Sequence, residues 1–218
     1  IQRAGRAGRL EPGICWHLFA KEQAERAAQY SEPEILNSDL CSLWLELLNW
    51  GCQDAAQLSW LDQPPQAALT VARDLLMRLG AIDTHGHLSA TGRTMASLGC
   101  EPRLAAMLCF AAGQSPDALA TAALLAAILE EPPRSGQIDL HDWLSRPQSH
   151  WQRRARQLTQ RVNCRSGNVD SNIAGQLLAL AYPDRIAQQR GLDGRYLLAN
   201  GMGAAMAQDE AVSRTPWL

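Results

Sequence analysis

The sequence predicts a mainly α-helical fold, and three observations carry that expectation. Apolar residues recur at three- and four-residue spacing through most of the chain, the helical period. Strand-like patterning is confined to three short stretches, and the breakers Gly51, Gly80 and Pro132-Pro133 fall where the helical stripes end. With 46% hydrophobic and 19% charged residues over 218 positions, the chain has enough apolar surface for a core and too little charge for a disordered tail. The length admits one large domain or two to three small modules.

Taken in order, the first nine residues are rich in arginine and glycine, and Glu11-Pro12-Gly13 reads as a turn. Ile14-Cys15-Trp16-His17-Leu18-Phe19 then reads as a short buried strand. Ser31-Glu32-Pro33-Glu34 looks like a helix start, followed by a stripe of Ile35, Leu36, Leu40, Leu43, Trp44, Leu47 and Leu48 that stops near Gly51. A second helix from about Pro65 carries Leu69, Ala72, Leu75, Leu76 and Leu79 and ends at Gly80. Ala81-Ile82-Asp83 and His87-Leu88-Ser89 flank Thr84-His85-Gly86 as a small β-hairpin. Helices followed by a hairpin give the order of a winged-helix module over residues 31–92.

Beyond Gly92 the pattern is helical. Met95 and Leu98, then Leu104, Met107, Leu108 and Ala111, then Leu119, Leu124, Leu125, Ile128 and Leu129 mark helices joined by short loops, as in a small antiparallel bundle. Trp151, Ala155, Leu158 and Val162 form one seam, with Arg153, Arg154, Arg156 and Arg161 outside it. Ile173, Leu177, Leu178 and Leu180 belong to a last helix ended by Tyr182-Pro183. Arg195-Tyr196-Leu197-Leu198-Ala199 then enters an Asn200-Gly201 turn as a strand short of partners for a closed sheet.

Composition excludes several functions. Lys21 is the only lysine among 20 basic residues, and Glu22 follows it, so no lysine-bearing phosphate loop is present in these residues. Six scattered cysteines lack metal-site spacing and are expected to be reduced, mostly buried thiols of a cytosolic protein. The uncharged stretch 118–129 is shorter than the roughly 20 residues of a membrane span, so no membrane partner is expected. The chain starts at Ile1 without a signal peptide and ends soon after a lone strand, which reads as a fragment. Net charge is −2, so any nucleic-acid binding must come from a local patch.

Two arginine groups are the chemical candidates. Arg3, Arg6 and Arg9 alternate with Gly5 and Gly8, each glycine costing about 1 kcal/mol in a helix interior; such spacing suggests close approach to a partner. Guanidinium suits bidentate bonding to phosphate and the charge that grows on a transferring phosphoryl group. A solvated arginine stripe is the other reading. Residues 143–169 carry six arginines and no acid; with the three arginines of the first nine residues also set aside, the remaining 11 basic residues face all 22 acidic ones. That segment fits a single-stranded backbone, a solvated face, or partners for the acidic remainder of the chain. Trp143 and Trp151 could stack on bases, although Trp151 sits on the apolar seam. Arg73 and Arg78, offset by Asp74, are poor equipment for reading duplex DNA. His85 and His87 read as turn residues with no further metal ligands.

The octet Gln2-Arg3-Ala4-Gly5-Arg6-Ala7-Gly8-Arg9 resembles the sixth motif of the DEAH-box and related DExH helicases of superfamily 2. Pro33-Glu34-Ile35, Leu88-Ser89-Ala90-Thr91-Gly92-Arg93 and Tyr182-Pro183-Asp184-Arg185-Ile186-Ala187 are similar to later parts of the same family. The last of these, with Gly194-Arg195-Tyr196-Leu197-Leu198-Ala199-Asn200-Gly201, resembles its bacterial HrpB-type branch. The resemblance implies a C-terminal fragment: the end of a second RecA-like lobe (1–30), a winged helix (31–92), a helical ratchet bundle (93–180) and the start of a β-containing region (181–218). It implies that Gln2 contacts the γ-phosphate or attacking water and that Arg6 and Arg9 are arginine fingers, with ATP and Mg2+ used by the full-length protein and neither bound by the fragment. It implies a nucleic-acid contact at Arg153, Arg154, Arg156 and Arg161, with single-stranded RNA as the expected partner in the cytoplasm. The family's D-E-x-H box is absent; Asp209-Glu210-Ala211-Val212 imitates it in letters only. The competing reading is a winged-helix regulatory or interaction module without motor activity, its octet a solvated arm.

Overall fold

The computed structural model describes residues 2–27, 31–133, 139–191, 194–207 and 210–218, the side chains of Gln2, Arg3, Ala24 and Ala211 lying outside the described set. Two short helices, α1 (Gln2–Ala7) and α2 (Lys21–Arg26), precede a helical body. In the body, α3 (Cys41–Trp50), α4 (Gln66–Arg78), α5 (Ala90–Leu98), α6 (Pro102–Gln114) and α7 (Pro116–Glu130) lead to α8 (Leu140–Ser145), α9 (Ser149–Val162) and α10 (Ala174–Ala181). A small sheet of β1 (Ala187–Gln189), β2 (Arg195–Leu198) and β3 (Gly203–Ala205) follows. The mainly α expectation holds.

Local chemistry sets the helix ends. Helix α3 starts later than the apolar stripe suggests: Glu34–Leu36 forms only a 3-10 turn, and the Asp39 carboxylate accepts from the Cys41 amide at 2.7 Å. Asn37, Ser38 and Asp39 compete for backbone donors, which favours a helix start over a helix interior. At the other end Gly51 takes a left-handed φ of 96°, letting the Cys52 amide reach the Leu47 carbonyl. Ser115 closes α6 and opens α7, its hydroxyl accepting from the Ala118 amide at 3.0 Å, with Pro116 in the first turn.

The apolar stretch that is too short for a membrane becomes the centre of the bundle. Ala118 through Ile128 on α7 are buried on every side, and α6 and α9 pack against this helix. No described helix is long and apolar enough to cross a membrane. One continuous core runs from Leu40, just before α3, to Ala181 on α10. The hairpin shrinks to a single bridge, Ile82 to Leu88. Gly92, in the first turn of α5, lies so close to the Ala81 carbonyl that a Cβ would collide with it.

The strand expected over residues 14–19 does not form. Ile14, Trp16 and Leu18 are 80%, 84% and 99% exposed, and none of the described residues pairs with their backbone. A strand needs a neighbour for its amides and carbonyls, and among the described residues this segment has none. Near the other end, β2 finds more partners than expected: β1 and β3 flank it antiparallel, and Leu218 exchanges backbone hydrogen bonds with Ala187. The Asn200-Gly201 turn joins β2 to β3 as the sequence suggests. Tyr196 is buried, its hydroxyl 2.9 and 3.0 Å from the Ser213 and Thr215 carbonyls.

The cysteines depart from the expectation of mostly buried thiols. Cys41 is buried, Cys52, Cys100 and Cys109 are half-buried, and Cys15 and Cys164 are exposed, because the last two lie outside the regular elements in runs of exposed residues.

Candidate nucleotide-facing arginines and nucleic-acid interface

The octet forms α1 and the turn after it. Arg6 and Arg9 are exposed, and neither guanidinium has a partner among the described residues. The side chains of Gln2 and Arg3 lie outside the described set. Among the described residues, a Cβ on Gly5 or Gly8 would meet nothing within 4 Å, so none of them approaches the surface those glycines leave open. Gly13 is different: its Cβ would strike the Ala7 carbonyl, so the turn folds directly back on the end of α1. Asp209 of the letter-only D-E-x-H imitation lies outside the described residues, and a 3-10 turn covers Ala211–Arg214.

Helix α9 resolves the second arginine group into faces. At about 100° per residue, Trp151, Ala155, Leu158 and Val162 fall within about 60°, and Trp151 and Leu158 are 1% and 0% exposed. The Trp151 indole donates to the Glu131 carbonyl at 2.9 Å and packs edge-on to half-buried Trp143. Trp151 is therefore core rather than a stacking platform.

Arg153, Arg156, Gln157 and Gln160 fall within about 100° of each other on an exposed face. No described residue pairs with either guanidinium there. Half-buried Arg154 and exposed Arg161 project from a third direction, toward the ends of neighbouring helices. Arg154 grips Glu130 with Nε and Nη2, at 2.6 and 2.7 Å, and Arg161 donates to the Leu98 carbonyl at 2.6 Å. The four arginines that spacing groups together thus divide into an open pair and an engaged pair.

The other flagged residues serve the fold. Arg73 stacks over the Trp44 ring at 4.3 Å. Asp83 accepts from the backbone amides of His85 and His87, both at 2.9 Å, and these bonds, that from His87 first, hold its carboxyl below the usual range. No three His, Cys, Asp or Glu side chains among the described residues gather as metal ligands would.

One polar centre escapes the sequence pattern altogether. Arg103 is 6% exposed, its Nη1 and Nη2 lying 2.5 and 3.0 Å from the two carboxylate oxygens of Asp184, with Nη1 also donating to the Ala181 carbonyl. Its guanidinium lies over Tyr182, as does that of Arg185. This joins the start of α6 to the passage from α10 into the sheet. Asp184 lies 81 positions away, so no periodicity could pair them; the only local signal is an arginine within an otherwise apolar helix face.

Comparison with known proteins agrees with this architecture. No family model matches. The chain is 60% identical over 217 residues to the ATP-dependent RNA helicase HrpB of Escherichia coli (strain K12), covering 100% of this chain and 26% of that protein. It is 35% identical over 108 residues to the probable ATP-dependent RNA helicase DHR2 of Saccharomyces cerevisiae, covering 50% of this chain and 15% of that one. A crystal structure of the Escherichia coli DEAH/RHA helicase HrpB superposes with a TM-score of 0.90 at 60% identity, over 99% of this chain and 27% of the other. The chain therefore spans about a quarter of the HrpB relative's length. Sequence and fold thus agree from the octet to the final strand, and over its whole length this chain is similar to part of the HrpB-type DExH-box helicases.

Proposed function

We propose that this chain is the part of an ATP-dependent RNA helicase that begins at the sixth motif and carries the contacts following it. The observation that supports this most is the 60% identity, sustained along the whole chain, to a protein named as an ATP-dependent RNA helicase. In this reading residues 1–30 end a RecA-like lobe, 31–92 act as a winged helix, 93–180 as a ratchet bundle, and 181–218 open a β-containing region. Uncovered Leu10, Ile14, Trp16 and Leu18 belong against the rest of that lobe.

The chemistry follows from the free guanidinium groups. Hydrolysis of the terminal phosphoryl of ATP spreads negative charge over its equatorial oxygens and the departing diphosphate. Arg6 and Arg9 reach across a lobe boundary to stabilise that charge, and Gln2 orients the attacking water. Mg2+, where bound, would supply further neutralisation of the phosphate charge; no three His, Cys, Asp or Glu side chains among the described residues gather to hold it, and no step on this chain is assigned to it. Closure around ATP then moves the helical body along a single strand in the cytoplasm, with Arg153 and Arg156 on the open face of α9 touching its phosphates.

Two measurements test this. Fluorescent single-stranded RNA is titrated against the chain and its Arg153→Ala/Arg156→Ala variant over a range of salt concentrations. Loss of two phosphate contacts lowers affinity and flattens the log–log salt slope by about 1.4; an unchanged slope and affinity removes this face from the reading. The chain alone releases no phosphate from ATP above a blank, and release that disappears in Arg6→Ala would contradict the assignment of the other wall to a separate lobe.

A further inference from the structure

Helix α9 carries Arg154 and Arg161 two turns apart on one side, and both engage the ends of other helices. Glu130 is the last residue of α7 and Leu98 the last of α5. A helix C-terminus presents unsatisfied carbonyls and partial negative charge, so an acid there is unfavourable and a cation favourable. Arg154 neutralises Glu130 through two bonds and lies 3.4 Å from the Gly99 carbonyl. Arg161 caps the Leu98 carbonyl.

The backbone beneath is shaped for this contact. Gly99 takes a left-handed φ of 63°, and a Cβ built on it would collide with Nη1 of Arg161. Only Gly99, Cys100 and Glu101 connect α5 to α6. The Cys100 thiol in this connection is pushed up to about 12, chiefly by burial and next by Glu130.

We propose that Arg154 and Arg161 are positioning residues, a two-point strap that fixes the α5–α6 connection and the rotation of α9, and that neither contacts nucleic acid. The strap itself rests on contacts within the chain. Its separation from ligand binding rests on the RNA reading above, in which the exposed face bearing Arg153 and Arg156 meets the strand.

A double-mutant cycle in urea tests it, using Arg161→Ala, Gly99→Ala and the pair in the full chain. Losing a charged hydrogen bond raises the unfolding constant about tenfold or more. Gly99→Ala both displaces Arg161 and strains the backbone; with Arg161 already absent only the strain remains. Its effect on the unfolding constant is therefore expected to be several-fold smaller in the Arg161→Ala background, and additive effects overturn the strap. Arg161→Lys replaces Arg161→Ala if the latter does not fold.

The same RNA titration separates the roles. Arg161→Ala and Arg154→Ala are expected to keep the wild-type salt slope. A loss of about 0.7 in slope with either variant, the increment for one single-strand phosphate, overturns the proposal. Coupling in urea together with no effect of Arg153→Ala/Arg156→Ala on RNA would refute the RNA reading and support the strap.

Discussion

Replacing Arg103 with alanine is the most informative perturbation of this fold. The side chain is 7% exposed, and the Asp184 carboxylate it grips is 22% exposed. Removing one member of a buried pair costs about 3–5 kcal/mol, because the other charge is left without a partner. Partial contact with water lets Asp184 recover some solvation, while the Ala181 carbonyl loses its donor, so a loss of about 3 kcal/mol is expected, at the lower end of that range. Urea unfolding at neutral pH measures it through the midpoint. Arg103→Met with Asp184→Leu, which removes both charges, is expected to recover most of the loss. A value for Arg103→Ala within about 0.5 kcal/mol of the parent, typical of an unremarkable surface site, would refute the view that this pair fastens the sheet to the helical body.

The same pair has a pH signature of fixed sign. Hydrogen bonding from Arg103, partly opposed by burial, holds the Asp184 carboxyl below its ordinary value. Burial disfavours the Arg103 guanidinium, but Asp184 more than compensates and raises its pKa. A carboxyl depressed in the folded state contributes stability above its unfolded value of about 3.9 and loses it as pH falls through the folded value. The stability gap between the parent and Asp184→Asn is therefore expected to be constant near neutrality and to close below about pH 4. A gap that widens on acidification would reverse the assignment.

Two further outcomes follow from packing and burial. Gly92→Ala forces a Cβ into the Ala81 carbonyl and is expected to destabilise by about 1–3 kcal/mol, the range for overpacking; circular dichroism melts check it, and an unchanged midpoint would contradict the close approach. Burial pushes the Cys41 and Cys100 thiols up to about 12, whereas Cys15 and Cys164 are exposed. Iodoacetamide at pH 8 followed by peptide mass mapping is expected to label Cys15 and Cys164 first, and Cys41 and Cys100 only on unfolding; early labelling of Cys41 would contradict its burial.

Much of the fold is legible from local signals. Leu69, Ala72, Leu75 and Leu76 lie at helical spacing and are buried on α4, because a helix places such residues on one face whatever surrounds it. The Trp151 seam is readable for the same reason. The start of α3 is not, since the apolar stripe runs through Asn37-Ser38-Asp39 and only the cap geometry reveals the break. The stretch over residues 14–19 has the composition of a strand but, among the described residues, no neighbour to make it one.

The site residues divide along the same line. The octet, the helical period and the concentration of arginine in residues 143–169 are legible before any folding is considered, since these are properties of order and composition. Packing between distant segments is what turns Arg154 and Arg161 to Glu130 and Leu98 while Arg153 and Arg156 stay open. It alone brought Arg103 to Asp184. Spacing along a helix fixes the direction in which a side chain leaves its axis, but whether a carboxylate, a carbonyl or water waits there depends on how distant segments pack.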